Sequence, residues 1–241
     1  MKLLVVNPNS TASMTAKIGA MARAVASVGT EIVATNPAAG PESIEGYFDE
    51  AFSVPGMLNE IRRHPGMCGY IVACFDDTGL DAARCIADAP VIGIGEAAFH
   101  MAALLAHRFG VVTTLPRSIP AIENNLLRYG LASRCAKVRA ADVPVLELEH
   151  AQDQALKRIS AEITRLLDED GAEAIVLGCA GMADIATTLS CRFGVPVLDG
   201  VACAVKLAEG TAAMGLKTSR VRAYASPIAK PYQSCELSAH R

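Results

Sequence analysis

Two short apolar runs, Ile71-Val72-Ala73-Cys74 and Ile175-Val176-Leu177-Gly178-Cys179, end on cysteines 105 residues apart. Each is rich in β-branched residues and is followed by small or polar residues and then by an amphipathic stretch. That is the pattern of a buried parallel strand feeding a helix. A cysteine at the carboxyl end of such a strand lies where open α/β sheets place their ligands. Backbone N–H groups and a helix N-terminus there favour an anion, which predicts a depressed thiol pKa. One such cysteine suggests a nucleophile; two in equivalent positions suggest an acid/base pair facing one substrate.

The duplication reaches beyond the cysteines. Ala89-Pro90-Val91-Ile92-Gly93 is matched by Val195-Pro196-Val197-Leu198-Asp199, and Leu3-Leu4-Val5-Val6 by Val111-Val112-Thr113-Thr114, at spacings of 106 and 108. A period this long marks two similar lobes rather than a solenoid. Strands are predicted at 2–7, 30–35, 69–74, 90–94, 109–114, 137–141, 173–178, 195–199 and, weakly, 219–224. Helices are predicted at 12–27, 48–63, 79–87, 96–107, 118–129, 151–169, 182–191 and 201–215. The alternation gives an α/β fold of two pseudo-symmetric, doubly wound lobes with parallel sheets and an active site in the cleft between them. The expected division is an N-terminal lobe over 1–107, completed by about 207–228, a second lobe over 108–206, and a tail over 229–241.

Composition narrows the function class. The net charge of -3, and the lack of a basic run with interleaved aromatics, argue against a nucleic-acid partner. Apolar stretches are broken by charge or glycine before the ~18 residues a membrane span needs. Residues 1–6 read as a strand, interrupted at once by Asn7-Pro8-Asn9, rather than as a secretory signal. Eight cysteines without such a signal predict reduced thiols in the cytoplasm.

Other candidates carry simpler readings. Cys85, Cys191 and Cys203 fall inside helical stretches as small buried apolar residues. Cys68, Cys135 and Cys235 have no partner pattern, and the absence of C-x-x-C disfavours a zinc or thioredoxin-type site. His100 and His107 lack an accompanying H-E-x-x-H and read as structural or surface histidines. Asp76-Asp77 at a strand end suits either magnesium or a cap for the helix starting near Gly79, and capping is favoured. Ser10-Thr11 reads as a cap for the first helix. Gly93-Ile94-Gly95-Glu96-Ala97-Ala98 formally matches G-x-G-x-x-A, but its counterpart after Pro196 lacks the glycines and no acidic residue ends the next strand, which argues against a dinucleotide. No metal site and no cofactor are expected.

The ordered set Val6-Asn7-Pro8-Asn9-Ser10-Thr11, Ser43-Ile44-Glu45-Gly46, Ala73-Cys74-Phe75-Asp76-Asp77, Thr113-Thr114-Leu115-Pro116-Arg117 and Leu177-Gly178-Cys179-Ala180-Gly181-Met182 resembles the hydantoin racemase and allantoin racemase branch of the aspartate/glutamate racemase superfamily. The resemblance covers about residues 1–225. It implies cofactor-free chemistry on a small molecule, a 5-substituted hydantoin, in a homo-oligomer, with Cys74 and Cys179 as the acid/base pair. It also implies substrate contacts at Asn9, Ser10, Ser43, Glu45, Phe75, Asp76, Thr113, Thr114, Ala180 and Gly181. Backbone N–H groups around Phe75-Asp76 and Ala180-Gly181 are expected to face the ring oxygens. The open alternatives are an amino-acid racemase, a superfamily isomerase or decarboxylase acting on a small dicarboxylate, and a catalytically silent ligand-binding module.

Overall fold

The computed structural model describes residues 1–150 and 152–230, so the start of the helix expected at 151 and most of the expected tail, Cys235 included, lie outside the described residues. The first half runs β1 (Lys2–Val6), α1 (Ala12–Val25), β2 (Glu31–Thr35), α2 (Tyr47–Arg63), β3 (Gly69–Val72), α3 (Leu80–Ile86), β4 (Val91–Gly93) and α4 (Ile94–Leu105). The second half repeats it as β5 (Phe109–Thr113), α5 (Ile119–Arg128), β6 (Cys135–Ala140), α6 (Glu147–His150), α7 (Gln152–Asp168), β7 (Ala174–Gly178), α8 (Ala186–Phe193), β8 (Val197–Asp199) and α9 (Gly200–Ala213).

Each half forms a four-stranded parallel sheet, ordered β2-β1-β3-β4 and β6-β5-β7-β8. The strand order reverses between β1 and β3, and again between β5 and β7, so each sheet has its switch point beside a cysteine-bearing strand.

Side-chain alternation along the strands builds the layers. On β1, Leu4 and Val6 join Met57 and Ile61 of α2 and Leu80 of α3 on the outer face of the first sheet. Leu3 and Val5 point the other way, into a core that also holds Val111 and Val176 of the second sheet. That middle layer contains Ile18 of α1, Phe99 of α4, Ile122 of α5 and Val201 of α9. Ile159 and Ile163 of α7 and Leu189 of α8 cover the outer face of the second sheet. Both sheets are thus buried on two faces, which is why their strands read as continuous apolar runs.

The two halves are joined through close helix packing. Ala97, Ala98 and Ala102 of α4 and Ala204 and Ala208 of α9 are almost fully buried in the shared layer. A side chain at Gly200 would place its Cβ 2.5 Å from the Ile94 carbonyl oxygen, so α9 can start against α4 only with glycine there. Phe99 lies edge-on to Phe75 at 5.3 Å and stacks on Phe109 at 5.9 Å, linking the turn after β3 to the first strand of the second sheet.

Three expectations are corrected. The boundary at 206/207 falls inside α9, an unbroken helix packed on α1, α4 and β3. The weak strand at 219–224 is instead a 3-10 turn at Arg222–Tyr224; its polar side chains reach α3 rather than the three-residue edge strand β4, with Tyr224 Oη donating to Asp81 at 3.0 Å and Arg220 to the Arg84 carbonyl at 2.7 Å. The helix expected over 182–191 is a 3-10 segment, Ala180–Ile185, that leads into α8. Among the described residues no helix is long and apolar enough to cross a membrane.

Candidate active site

The carboxyl ends of β1, β3, β5 and β7 converge on one cleft. Asn7 and Asn9 follow β1, Cys74 and Asp76 follow β3, Thr113 and Thr114 end β5, and Cys179 follows β7. Ile44, Met14 and Val145 supply apolar wall, and no arginine or lysine lines the cleft among the described residues. The two switch points therefore face one space, with one cysteine from each sheet.

Both cysteines are free thiols. Cys74 accepts from Thr78 Oγ1 at 3.3 Å and from the Asp76 N–H. Cys179 is the N-cap of the 3-10 segment and accepts from the Gly181 N–H at 3.4 Å. The N–H groups of Asp76 and Gly181, expected to face ring oxygens, thus point at the sulfurs, where they stabilise a thiolate. The depressed thiol pKa expected at a helix N-terminus is not what this geometry produces. Burial pushes Cys74 well above an ordinary thiol, helped by the Asp76 and Glu50 carboxylates against the Thr78 and Asp76 donors. Burial also pushes Cys179 up to about 11, opposed by the Gly181 N–H and Lys17 and helped by Asp76. Burial outweighs the backbone donors at both sulfurs, and at Cys74 the turn after β3 adds to this by placing Gly79, not the cysteine, before α3.

Those carboxylates have distinct partners. Asp77 is 3% exposed, and its side chain accepts from the Gly95 N–H at 3.0 Å, the Glu96 N–H at 2.8 Å and Tyr129 Oη at 2.7 Å. It is a helix cap as expected, but for α4 rather than the helix starting near Gly79. A Cβ at Gly93 would lie 2.1 Å from Asp77 Oδ1, and one at Gly95 would lie 2.3 Å from the Phe75 carbonyl. The two glycines of the G-x-G-x-x-A pattern are therefore required by this cross-turn cap. In the second half Asp199 caps α9 from its own strand end, accepting from the Val201 N–H at 2.7 Å, and the cap itself does not require the glycine pair that Asp77 needs; Gly200 serves the contact with Ile94 instead.

Asp76 differs from Asp77. Its carbonyl accepts from Asn125 Nδ2 at 2.7 Å, while the residue lines the cleft and its carboxyl makes no hydrogen bond among the described residues. Burial, then the Glu50 and Asp77 carboxylates, push it from 3.8 up to about 7. The folded protein thus holds a proton on Asp76 that the unfolded chain has already lost between these values. Its contribution to stability is full below the unfolded value and is lost as pH rises through the folded one. Asp76→Asn is expected to flatten that decline by up to about 1.4 kcal/mol per pH unit, measured by urea unfolding across the window. An unchanged slope would count against it.

Of the residues expected at the site, Asn9, Phe75, Asp76, Thr113, Thr114 and Ala180 line the cleft with the two cysteines. Ser10, Ser43, Glu45 and Gly181 do not. Ser10 donates to the Gly40 and Pro41 carbonyls at 3.1 and 3.2 Å, and Thr11 to Glu42, so these hydroxyls anchor the 40–42 loop instead of capping α1. Glu45 accepts from the Val145 N–H at 3.0 Å and ties together the two loops that carry Ile44 and Val145 over the cleft. Gly181 lies behind Cys179 and offers its carbonyl to Lys17 at 2.9 Å. Arg117 stands exposed beside Gly46, outside the lining. Sequence reading missed Asn7, whose amide holds Asn9 and Thr15 at 2.8 and 3.0 Å, and also missed Ser118 and Val145. The Asn-Pro-Asn motif itself carried the signal for Asn7. Cys203 is buried as expected, whereas Cys85 is half-buried and Cys191 exposed. Among the described residues no group of three His, Cys, Asp or Glu side chains is gathered as metal ligands.

Comparison with known proteins adds independent findings. Residues 3–208 match the family model of Asp/Glu/Hydantoin racemase. A hydantoin racemase of Rhizobium meliloti is 51% identical over 95% of this chain and 96% of its own. Solved structures of allantoin racemase from Klebsiella pneumoniae and from Pseudomonas fluorescens superpose with a TM-score of 0.94 at 47% and 42% identity; each covers 97% of this chain, and 96% and 100% of its own.

Proposed function

Because the chain belongs to the Asp/Glu/Hydantoin racemase family, and is an isomerase on that ground, we propose that it racemises 5-substituted hydantoins, allantoin included, by proton transfer between Cys74 and Cys179. The observation that carries this reading is the single cleft lined by one free cysteine from each of two equivalent sheets. The hydrogen on C5 of a hydantoin lies next to the C4 carbonyl, so its removal leaves a planar, enolate-like species. Inversion requires the proton to leave one face and return on the other. Two groups on opposite sides of a flat ring achieve this without turning it. One cysteine begins as thiolate and the other as thiol, and the roles exchange with each turnover. The Asp76 and Gly181 N–H groups stabilise the thiolate form of each.

The lining favours a neutral ureide over an amino acid. Asn7, Asn9, Thr113 and Thr114 offer uncharged polar groups, the Asp76 carboxyl repels a substrate carboxylate, and no cation lines the cleft among the described residues. The chemistry needs both thiols reduced, which fits the cytoplasm. For the homo-oligomer, Phe48 and Phe52 pack at 4.7 Å on the exposed start of α2, an apolar surface suited to burial against a second copy.

Racemisation is tested by following C5 proton exchange in heavy water alongside loss of optical rotation, with allantoin and 5-benzylhydantoin compared side by side. Activity should survive dialysis against a chelator and should stop on alkylation with iodoacetamide. Exposed Cys68 and Cys191 should be labelled first, without loss, and inactivation should track label at Cys74 or Cys179. Exchange absent from both substrates, or restored only by a divalent ion, would overturn the two-thiol reading.

A further inference from the structure

A two-base racemase leaves each turnover with its protons in the wrong places. If Cys179 takes the proton and Cys74 returns one, the free enzyme then holds the arrangement that suits the product. Before another substrate molecule of the same hand can react, a proton must pass from Cys179 back to Cys74. Among the described residues neither sulfur has a side-chain acid or base as hydrogen-bond partner: the Thr78 hydroxyl donates to Cys74, and the Gly181 N–H donates to Cys179.

Asp76 is the titratable group suited to this passage. It lies two residues from Cys74 on the same turn, lines the cleft shared by both cysteines, and its carboxyl makes no hydrogen bond among the described residues. Its charge acts on both thiols, from the first sheet and from across the cleft. Glu50 on α2 and Asp77 on the same turn face it, and Glu50 Oε1 is buried without a partner. Burial and the Glu50 and Asp77 charges bring Asp76 up to about 7, so its acid and carboxylate forms are both accessible near neutrality. Lys17 and Glu45 are the other charges acting on Cys179.

We infer that Asp76 is the proton exchanger of the cysteine pair: its carboxylate takes the proton from one thiol, and the acid so formed gives a proton to the other thiolate. The passage is direct or runs through one water. No bond other than S–H and O–H forms or breaks, and charge is conserved. The inference rests on the racemase reading above and adds to it the step between turnovers.

The test compares Asp76→Asn with the parent, each at the pH of its own maximum, in two regimes. With enzyme in excess over one enantiomer, a single inversion needs no reset. Asp76 also lines the cleft and its charge acts on both thiols, so the single-turnover rate is expected to fall as well, but by far less than the steady rate. At saturating substrate every cycle needs the reset, and the steady rate should fall about 10²-fold. Imidazole added as a diffusible acid/base should restore that rate in proportion to its concentration, which no structural loss would allow. Asp76→Glu should keep part of the steady rate. Equal loss in both regimes, no loss in either, or no response to imidazole overturns the exchanger while leaving the racemase reading intact. A parent that racemises no hydantoin overturns both.

Discussion

Serine at Cys74 or at Cys179 is expected to abolish racemisation while leaving half of its chemistry in place. A hydroxyl is far less acidic than a thiol, so the substituted face loses its base, and net inversion should fall by about 10³-fold or more. The surviving thiolate still removes the C5 proton of the enantiomer that presents it and returns a solvent deuteron to the same face. Cys74→Ser should therefore exchange one enantiomer with retention, and Cys179→Ser only the other. The replacement is nearly isosteric, and the Thr78 hydroxyl and Gly181 N–H can donate to oxygen as they do to sulfur, so loss of fold does not explain the result. Cys85→Ala, Cys191→Ala and Cys203→Ala should keep both exchange activities, with a stability cost concentrated at buried Cys203. Either serine variant racemising near the parent rate would refute the division of labour, and one that exchanged both enantiomers would assign both faces to a single sulfur.

What the sequence made legible was local or repeated. Ile71–Cys74 and Ile175–Cys179 announce buried strands because both faces of each sheet are covered, and their spacing marks equivalent places in two halves. Asn9, Asp76 and Thr113 follow from motifs at strand ends, because the strand ends themselves build the cleft. What stayed hidden depends on distant partners. Asp77 caps a helix that starts 17 residues later, a link no local capping rule contains. Ser10 and Ser43 share a motif with cleft residues, yet Ser10 turns to the 40–41 loop, since a hydroxyl next to Asn9 points away from it. The thiol pKa values moved opposite to expectation because burial, their largest cause, is a tertiary fact that no strand-end motif records; the Asp76 and Glu50 carboxylates add to it at Cys74. The 219–224 segment has strand-like composition, but Arg220 and Tyr224 find partners on α3.

Asp77→Ala is expected to be the most destabilising single change around the site. The side chain joins three elements: the β3 turn that carries Cys74, the start of α4 through Gly95 and Glu96, and α5 through Tyr129. Its backbone sits at a φ of 51°, in the left-handed region that Asp tolerates better than Ala. Deleting the carboxyl leaves two N–H groups of a helix N-terminus and the hydroxyl of half-buried Tyr129 without their acceptor, a loss of about 2–4 kcal/mol by urea unfolding. Asp77→Asn keeps the shape and one acceptor oxygen and should cost less than half of that. Because the turn holds Cys74, kcat should fall in Asp77→Ala even where the protein remains folded. Gly95→Ala acts on the same joint from the other side, since its Cβ would meet the Phe75 carbonyl at 2.3 Å and push the turn away from α4. Each change opens the contact that the other would open, so the double variant should lose less stability than the two single losses combined. Strict additivity would mean that the turn and the helix start respond independently, and that Asp77 does not carry the joint between them.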